Sequence, residues 1–267
     1  MPEWPAGSGR PMFRGRLWGS IMTAAATKRC WGLSVIAVFG ANLAMAQADA
    51  PREVRQIVTF QFAPGRMAEA VAIYRDQLRP IYNGIPALLR FRGFSESESP
   101  EPLDLIVVSS YRGMAGMDLA NEGLRRPGAT GASALSLYGT LSAMTVGHHD
   151  QFVEIVPSLS DSAGAGGLTV FEYVRLAPGS ADEFERLLHD QVRPFEREHQ
   201  LVVWSETGRM LVSDGWDYLR IFGIRTLADW QRYQQVLWAA PFRGYLQHHL
   251  AARKTLIVRD LPNLAVR

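Results

Sequence analysis

Cysteine is almost missing from this chain of 267 residues: Cys30 is the only one. Lysine is nearly as scarce, with Lys254 alone beyond residue 28. A single cysteine excludes an internal disulfide framework, a cysteine-based metal cluster and, wherever residue 30 is removed, a thiolate nucleophile. Catalytic signatures are absent too. There is no nucleophile elbow, no P-loop, no dinucleotide fingerprint after a strand and no H-E-x-x-H pair. The run Gly164-Ala165-Gly166-Gly167 reads as linker rather than phosphate cradle, and nothing marks Lys254 as catalytic.

Long apolar runs are also few, and the clearest one sits at the start. Arg10, Arg14, Arg16, Lys28 and Arg29 precede CWGLSVIAVFGANLA, which ends in the small residues AMAQADA. Basic segment, apolar core and small-residue cleavage site form a secretory signal, and the core falls short of the roughly 20 residues of a membrane span. Residues 1–48 are therefore expected to be an export signal and extension cleaved near Ala46 or Ala48, with translation starting at Met1 or Met22. A periplasmic or secreted protein with no stable membrane span after processing follows; an uncleaved N-terminal anchor is the alternative. Removal takes away five basic residues and one acid, leaving 23 basic against 25 acidic. A net charge of about −2 carries no electrostatic footprint for nucleic acid.

What the chain does have is a repeat. FAPGRMAEAVAIYRDQLRP (Phe62 to Pro80) returns as LAPGSADEFERLLHDQVRP (Leu176 to Pro194) at an offset of 114 residues. The two share Ala-Pro-Gly, then Glu69 and Glu183, then Asp-Gln-x-Arg-Pro. Upstream of each Pro-Gly lies a β-prone run, QIVTFQF or TVFEYVRL; downstream, apolar residues recur at helical spacing. A fainter echo pairs DLIVVSSYRGMAGM with DYLRIFGIRTLADW at an offset of 113, and FVEIV and TLIV close the two units. The order β-α-β-β-α-β is the split βαβ of ferredoxin-like units. A sheet with helices on one face leaves the other bare, so a second copy in the same chain is expected to cover it. The fold class is thus α+β: two tandem ferredoxin-like repeats, 52–157 and 168–262, packed into a pseudo-dimeric α/β barrel. Residues 158–167 are the expected flexible linker, and GATGASALS (Gly128 to Ser136) lengthens the first repeat.

The second half, through RLAPGSADEF, RPFEREHQLVVWSETG, YLRIFGIRTLADWQRY and APFRGYL, resembles a NIPSNAP-type domain of the dimeric α/β-barrel superfamily over about Leu168 to Leu261. The first half joins that resemblance only through the repeat. The resemblance implies the barrel fold. It also admits several tasks, since relatives in the superfamily include cofactor-independent monooxygenases, haem-degrading enzymes and two-repeat haem proteins of the chlorite-dismutase kind.

Candidate site residues come from the faces of these elements. Tyr173 and Arg175 share one face of a strand, and with Trp204, Tyr218 and Arg220 they are candidates for an aromatic, sparsely polar wall inside the barrel. The same residues describe an ordinary core. Gln77 and Gln191 fall at the edge of the buried helix stripe, where an amide needs partners; they point into a ligand cleft or tie the helix to a neighbour. All four tryptophans beyond residue 48 lie in the second half, which makes it the expected home of a ligand. The pairs His148-His149 and His248-His249 precede the last strand of each repeat. Adjacent residues on a helix diverge by about 100°, so neither pair chelates one ion well, and no metal site is expected. His189 reads as a flank position. His199 could serve as an axial ligand only if its loop enters a cavity, so no cofactor is expected, with haem the one left open.

The leading expectation is an exported protein that binds a small apolar or aromatic ligand in a barrel cleft. The alternatives are a cofactor-independent monooxygenase or haem-dependent oxidoreductase, and a non-catalytic scaffold. Homo-oligomerisation is left open, as is whether the chain is an enzyme at all.

Overall fold

Eight strands form where the sequence alternates or runs apolar: β1 (Glu53–Phe62), β2 (Leu88–Glu98), β3 (Leu105–Arg112), β4 (Thr145–Ile155), β5 (Leu168–Leu176), β6 (Trp204–Val212), β7 (Tyr218–Ile224) and β8 (Leu250–Asp260). They are seen in a computed structural model that describes residues 52–98, 103–128, 131–161 and 167–266. The expected export segment, with Cys30, Met22, Ala46 and Ala48, lies outside the described residues, as do 162–166 of the connector. The connector's first residues form a 3-10 turn, Pro157–Leu159, with Leu159 buried, so they are structured where a flexible linker was expected.

All neighbouring strands pair antiparallel in one closed barrel, in the order β1-β3-β2-β8-β5-β7-β6-β4. Read around the barrel, β4-β1-β3-β2 is followed by the same arrangement, β8-β5-β7-β6. The halves join edge to edge, β2 with β8 and β4 with β6, which removes every open edge of the sheet. Two hydrogen bonds set the equivalence of the halves. Asp104 Oδ2 accepts from the Phe62 N–H at 2.7 Å, and Asp217 Oδ2 accepts from the Leu176 N–H at 2.7 Å.

Each β1 or β5 exit is a turn with Pro at its second position and a positive-φ glycine at its third, Gly65 at 78° and Gly179 at 77°, the type II pattern. The helix that follows, α1 (67–83) or α4 (181–198), is interrupted by one π turn, at Tyr74–Leu78 and Leu188–Val192. There the Arg79 N–H donates to the Tyr74 carbonyl and the Arg193 N–H to that of Leu188, five residues back. The cause is the shared Arg-Pro. Pro80 and Pro194 lack an N–H and crowd the carbonyl four residues earlier, so the preceding turn widens. The repeated Asp-Gln-x-Arg-Pro is a backbone device.

After β3 and β7 come two helices where one was expected: α2 (Gly113–Leu124) with α3 (Ala134–Met144), and α5 (Leu227–Ala239) with α6 (Arg243–His248). The extra length of the first half is spent on α3, whose Ser133 side chain caps the Ser136 N–H.

Three cores result. The barrel interior holds Ile57, Phe94, Ile106, Val153, Phe171, Tyr173, Trp204, Ile221 and Val258. A bidentate pair runs across that interior from Arg55 to Glu206, at 2.5 and 2.7 Å. Each helix layer packs on its own half of the sheet's outer face, around Tyr74, Leu78, Phe91 and Val107 in the first half and Phe184, Phe222, Ile224 and Tyr233 in the second. The chain's end returns to the first half, where Leu264 and Val266 are buried in that core and Val266 bridges to Phe91.

Candidate functional site

Between sheet and helices of the first half lies a cavity of about 330 Å³. Its floor is the outer face of β1, β3 and β4, where alternation presents Gln56, Val58 and Phe60, then Val107, Ser109 and Tyr111, then His148 and Asp150. Its roof is helical: Tyr74 and Tyr82 from α1, Ala120 and Asn121 from α2, Tyr138 and Leu141 from α3. The Tyr82 and Tyr138 hydroxyls share a hydrogen bond of 2.6 Å. Burial pushes the phenols of Tyr74, Tyr82 and Tyr138 above their ordinary range, which keeps them neutral donors.

The polar groups gather at one end. Gln56 Nε2 donates to Asp150 Oδ1 at 2.8 Å, Asp150 Oδ2 lies 3.7 Å from His148 Nε2, and the His148 ring stacks on Phe60 with centroids 6.4 Å apart. Neither lysine nor arginine lines this cavity.

The equivalent space in the second half is occupied by the protein's own charges. Val58 corresponds to Glu172, Tyr82 to Glu196, Val107 to Arg220 and Ala120 to Tyr233, by the offsets of 114 and 113. Arg220 reaches Glu172 at 3.0 Å and Glu196 at 2.8 and 3.0 Å; Tyr233 donates to Glu196 at 2.9 Å; Arg253 Nε closes on Glu172 at 2.6 Å. Glu172, Glu196, Arg220 and Tyr233 are all buried. Burial works against a charged Glu172, yet Arg253 and Arg220 together hold its carboxyl below the usual range. Two carboxylates against two guanidinium groups leave the cluster neutral.

The residues singled out from sequence divide accordingly. Tyr173 and Trp204 do face the barrel interior. Tyr173 donates to Gln151 Oε1 at 2.9 Å, and the Arg92 guanidinium sits 5.0 Å from the Trp204 ring. Arg175 lies exposed at the rim, its guanidinium 5.2 Å from Trp216 and its Nε donating to the Gly215 carbonyl. Tyr218 and Arg220 do not face the interior. They point to the helix side, Tyr218 donating to Glu185 and Arg220 joining the buried cluster. Gln77 and Gln191 fall within the two π turns, are half-buried, and line none of the cavities described here.

Nor is the ligand space in the tryptophan-rich half, where it was expected. His148 and His149 lie within β4 and face opposite sides of the sheet; His248 and His249 end α6 and the turn beyond it. The strand register makes Arg253 and Lys254 the true counterparts of His148 and His149. Among the described residues no cluster of three or more metal-ligating side chains occurs. No helix among them is long and apolar enough to cross a membrane.

No family model matches the sequence, and no curated protein does. Solved structures match the fold. A presumed monooxygenase from Lactobacillus acidophilus superposes with a TM-score of 0.54 at 10% identity, over 78% of this chain and 94% of the other. An anthrone oxidase-like protein gives 0.54 at 12% identity, over 80% and 92%. A haem-binding protein from Thermus thermophilus gives 0.52 at 12% identity, over 79% and 92%. The fold is that of the dimeric α/β-barrel proteins. At these identities the likeness reaches the fold and stops there.

Because one of these proteins binds haem, both clefts were tested for it. A haem needs an axial donor over its face and neighbours for two propionates. The second cleft is filled by the Glu172–Arg220 cluster. The first has one histidine, His148, at its mouth with a side chain 61% exposed, no cation in its lining and an acid, Asp150, beside the histidine. His189 pairs with Asp190, His199 packs on Phe195, and His249 bonds Ser180. These residues do not suit haem.

Proposed function

We propose that the first-half cleft is the active site of a cofactor-independent monooxygenase acting on a neutral, fused-ring phenol or anthrone-like compound. The observation that carries this reading is the cleft itself: aromatic walls without a cation, neutral tyrosine donors inside, and a His148–Asp150–Gln56 relay at one end. A substrate of this class is oxidised by O2 once a proton leaves its ring carbon, because the carbanion is itself the reductant. His148 takes that proton, and Asp150, held by Gln56, stabilises the imidazolium that forms. The electron pair left on carbon reduces O2 and forms a C–O bond. The O–O bond then breaks, the second C–H proton leaves, and a carbonyl and one water result. Both oxygen atoms are accounted for, and no external reductant is needed. The Tyr82–Tyr138 pair donates to the substrate oxygen and orients the ring.

We place this chemistry outside the cytoplasm, on the strength of the signal-like residues 1–48. We read the barrel as a duplicated ferredoxin-like unit with a NIPSNAP-like second half, on the strength of the repeated strand order and the shared Asp104 and Asp217 hydrogen bonds. Oxygen-electrode assays with anthrone should show equimolar consumption of O2, and His148→Gln should slow it by about 10² or more while leaving binding near wild type. Anthrone bound without O2 uptake would reduce the protein to a ligand carrier, and absence of both would remove the reading.

A further inference from the structure

The second-half cleft is blocked inside but open at its mouth. A groove of about 390 Å³ lies there between α5, α6 and β8. Residue by residue it is the outer part of the first cleft: Gln234 stands where Asn121 does, Leu237 for Leu124, Arg243 for Tyr138, Leu246 for Leu141, Gln247 for Ser142 and Arg253 for His148. The exchange reverses the chemistry. The first mouth offers an acid and no fixed cation, whereas the second offers two arginines and two amides with no acid in its lining.

The arginines are not equivalent. Arg253 is committed through Nε to Glu172, inside a cluster whose charges already balance. Arg243 is in no ion pair among the described residues; its guanidinium lies over the Trp238 ring, and Nη1 donates to the Trp238 carbonyl at 3.4 Å. A guanidinium has five N–H donors, so most of this fork remains for an acceptor. Trp238, 65% exposed, supplies aromatic surface beside it. From this geometry we propose that the groove is a second ligand site, selective for aromatic carboxylates: the carboxylate engages Arg243 with Gln234 and Gln247 alongside, and the ring lies against Trp238 and Leu246. The site goes beyond the proposed oxygenation and is independent of it.

Calorimetric titration of the full chain with 2-naphthoate tests this. Saturable binding is expected, weakening as salt rises, and at least about tenfold weaker in Arg243→Gln or for the uncharged 2-naphthamide. Trp238→Ala, at a position that does not support the core, should weaken it several-fold and guards against a folding artefact at Arg243. Ala120→Phe, which fills the first cleft, should leave naphthoate binding intact. Equal affinity for acid and amide, undiminished binding in Arg243→Gln, loss of binding in Ala120→Phe, or no saturable binding at millimolar naphthoate would each overturn the proposal.

Discussion

Glu172 lies on the second strand face with Val174 and Leu176, a placement the alternation of β5 makes readable, but nothing local announces that it is buried between two guanidinium groups. Its carboxyl is held below its ordinary value of 4.5 by Arg253 and Arg220 against the cost of burial. A group whose folded value is depressed stabilises the fold fully above the unfolded value and ceases to do so as pH falls through the folded one. Glu172→Gln strands Arg220 and Arg253 in the interior, so it should cost about 3–5 kcal/mol at pH 7. That difference from wild type should shrink as pH drops below 4.5, because acid removes the same charge from the wild type; urea unfolding at neutral and acid pH measures it. A constant difference at both would mean that Glu172 is not ionised in the fold. Arg220 shows the limit of reading single residues. All seven residues of β7 are buried, and a strand covered on both faces loses the polar alternation that would tell its inner face from its outer one. The expectation that Arg220 and Tyr218 face the barrel interior failed for that reason.

At the scale of elements, the strands and the first helix of each half were legible because Pro-Gly turns and a repeated sequence punctuate them. The phase of those helices was not. Regular 3.6-residue spacing sets Gln77 and Gln191 at the edge of the buried stripe, but each sits within a π turn, where one extra residue per turn breaks the projection. The same phase change precedes Tyr82 in the first half and Glu196 in the second. The C-terminal tail escaped notice because it serves the other half: the 3-10 turn Pro262–Leu264 brings Leu264 and Val266 into the first core, a pairing of residues far apart in the chain. Deleting residues 262–266 removes two buried apolar side chains, each giving roughly 1.5–3 kcal/mol. The truncated chain should therefore unfold at lower denaturant concentration. It should also exchange amide hydrogens faster in β2, where Phe91 loses its partner Val266, and unchanged exchange there would show that the tail is only draped on the surface.

For the molecule as a whole, the two halves are one scaffold with opposite contents, and the alignment that revealed the scaffold also held the clue to the contents. Where Val58 and Val107 stand in the first half, the second has Glu172 and Arg220. Exchanging apolar for charged residues at matching buried positions marks one cleft as open and the other as plugged. Tryptophan content pointed to the wrong half because Trp204 packs the barrel interior and Trp238 the outer surface, so neither reports on the space between helix and sheet. If the plug alone distinguishes the clefts, then importing the first half's residues should open the second. Glu172→Val, Glu196→Tyr, Arg220→Val and Tyr233→Ala, made together, replace a buried charge cluster by packing that the other half already tolerates, and such replacements are often neutral or stabilising by about 1–4 kcal/mol. Arg253, left without Glu172, is 34% exposed and can turn to solvent. The fourfold variant should remain folded and take up a second equivalent of a neutral fused-ring phenol by calorimetry, where the wild type takes one. A folded variant that still binds a single equivalent would mean that shape set by the longer α3 of the first half, rather than the charges of the second, decides which cleft receives the ligand.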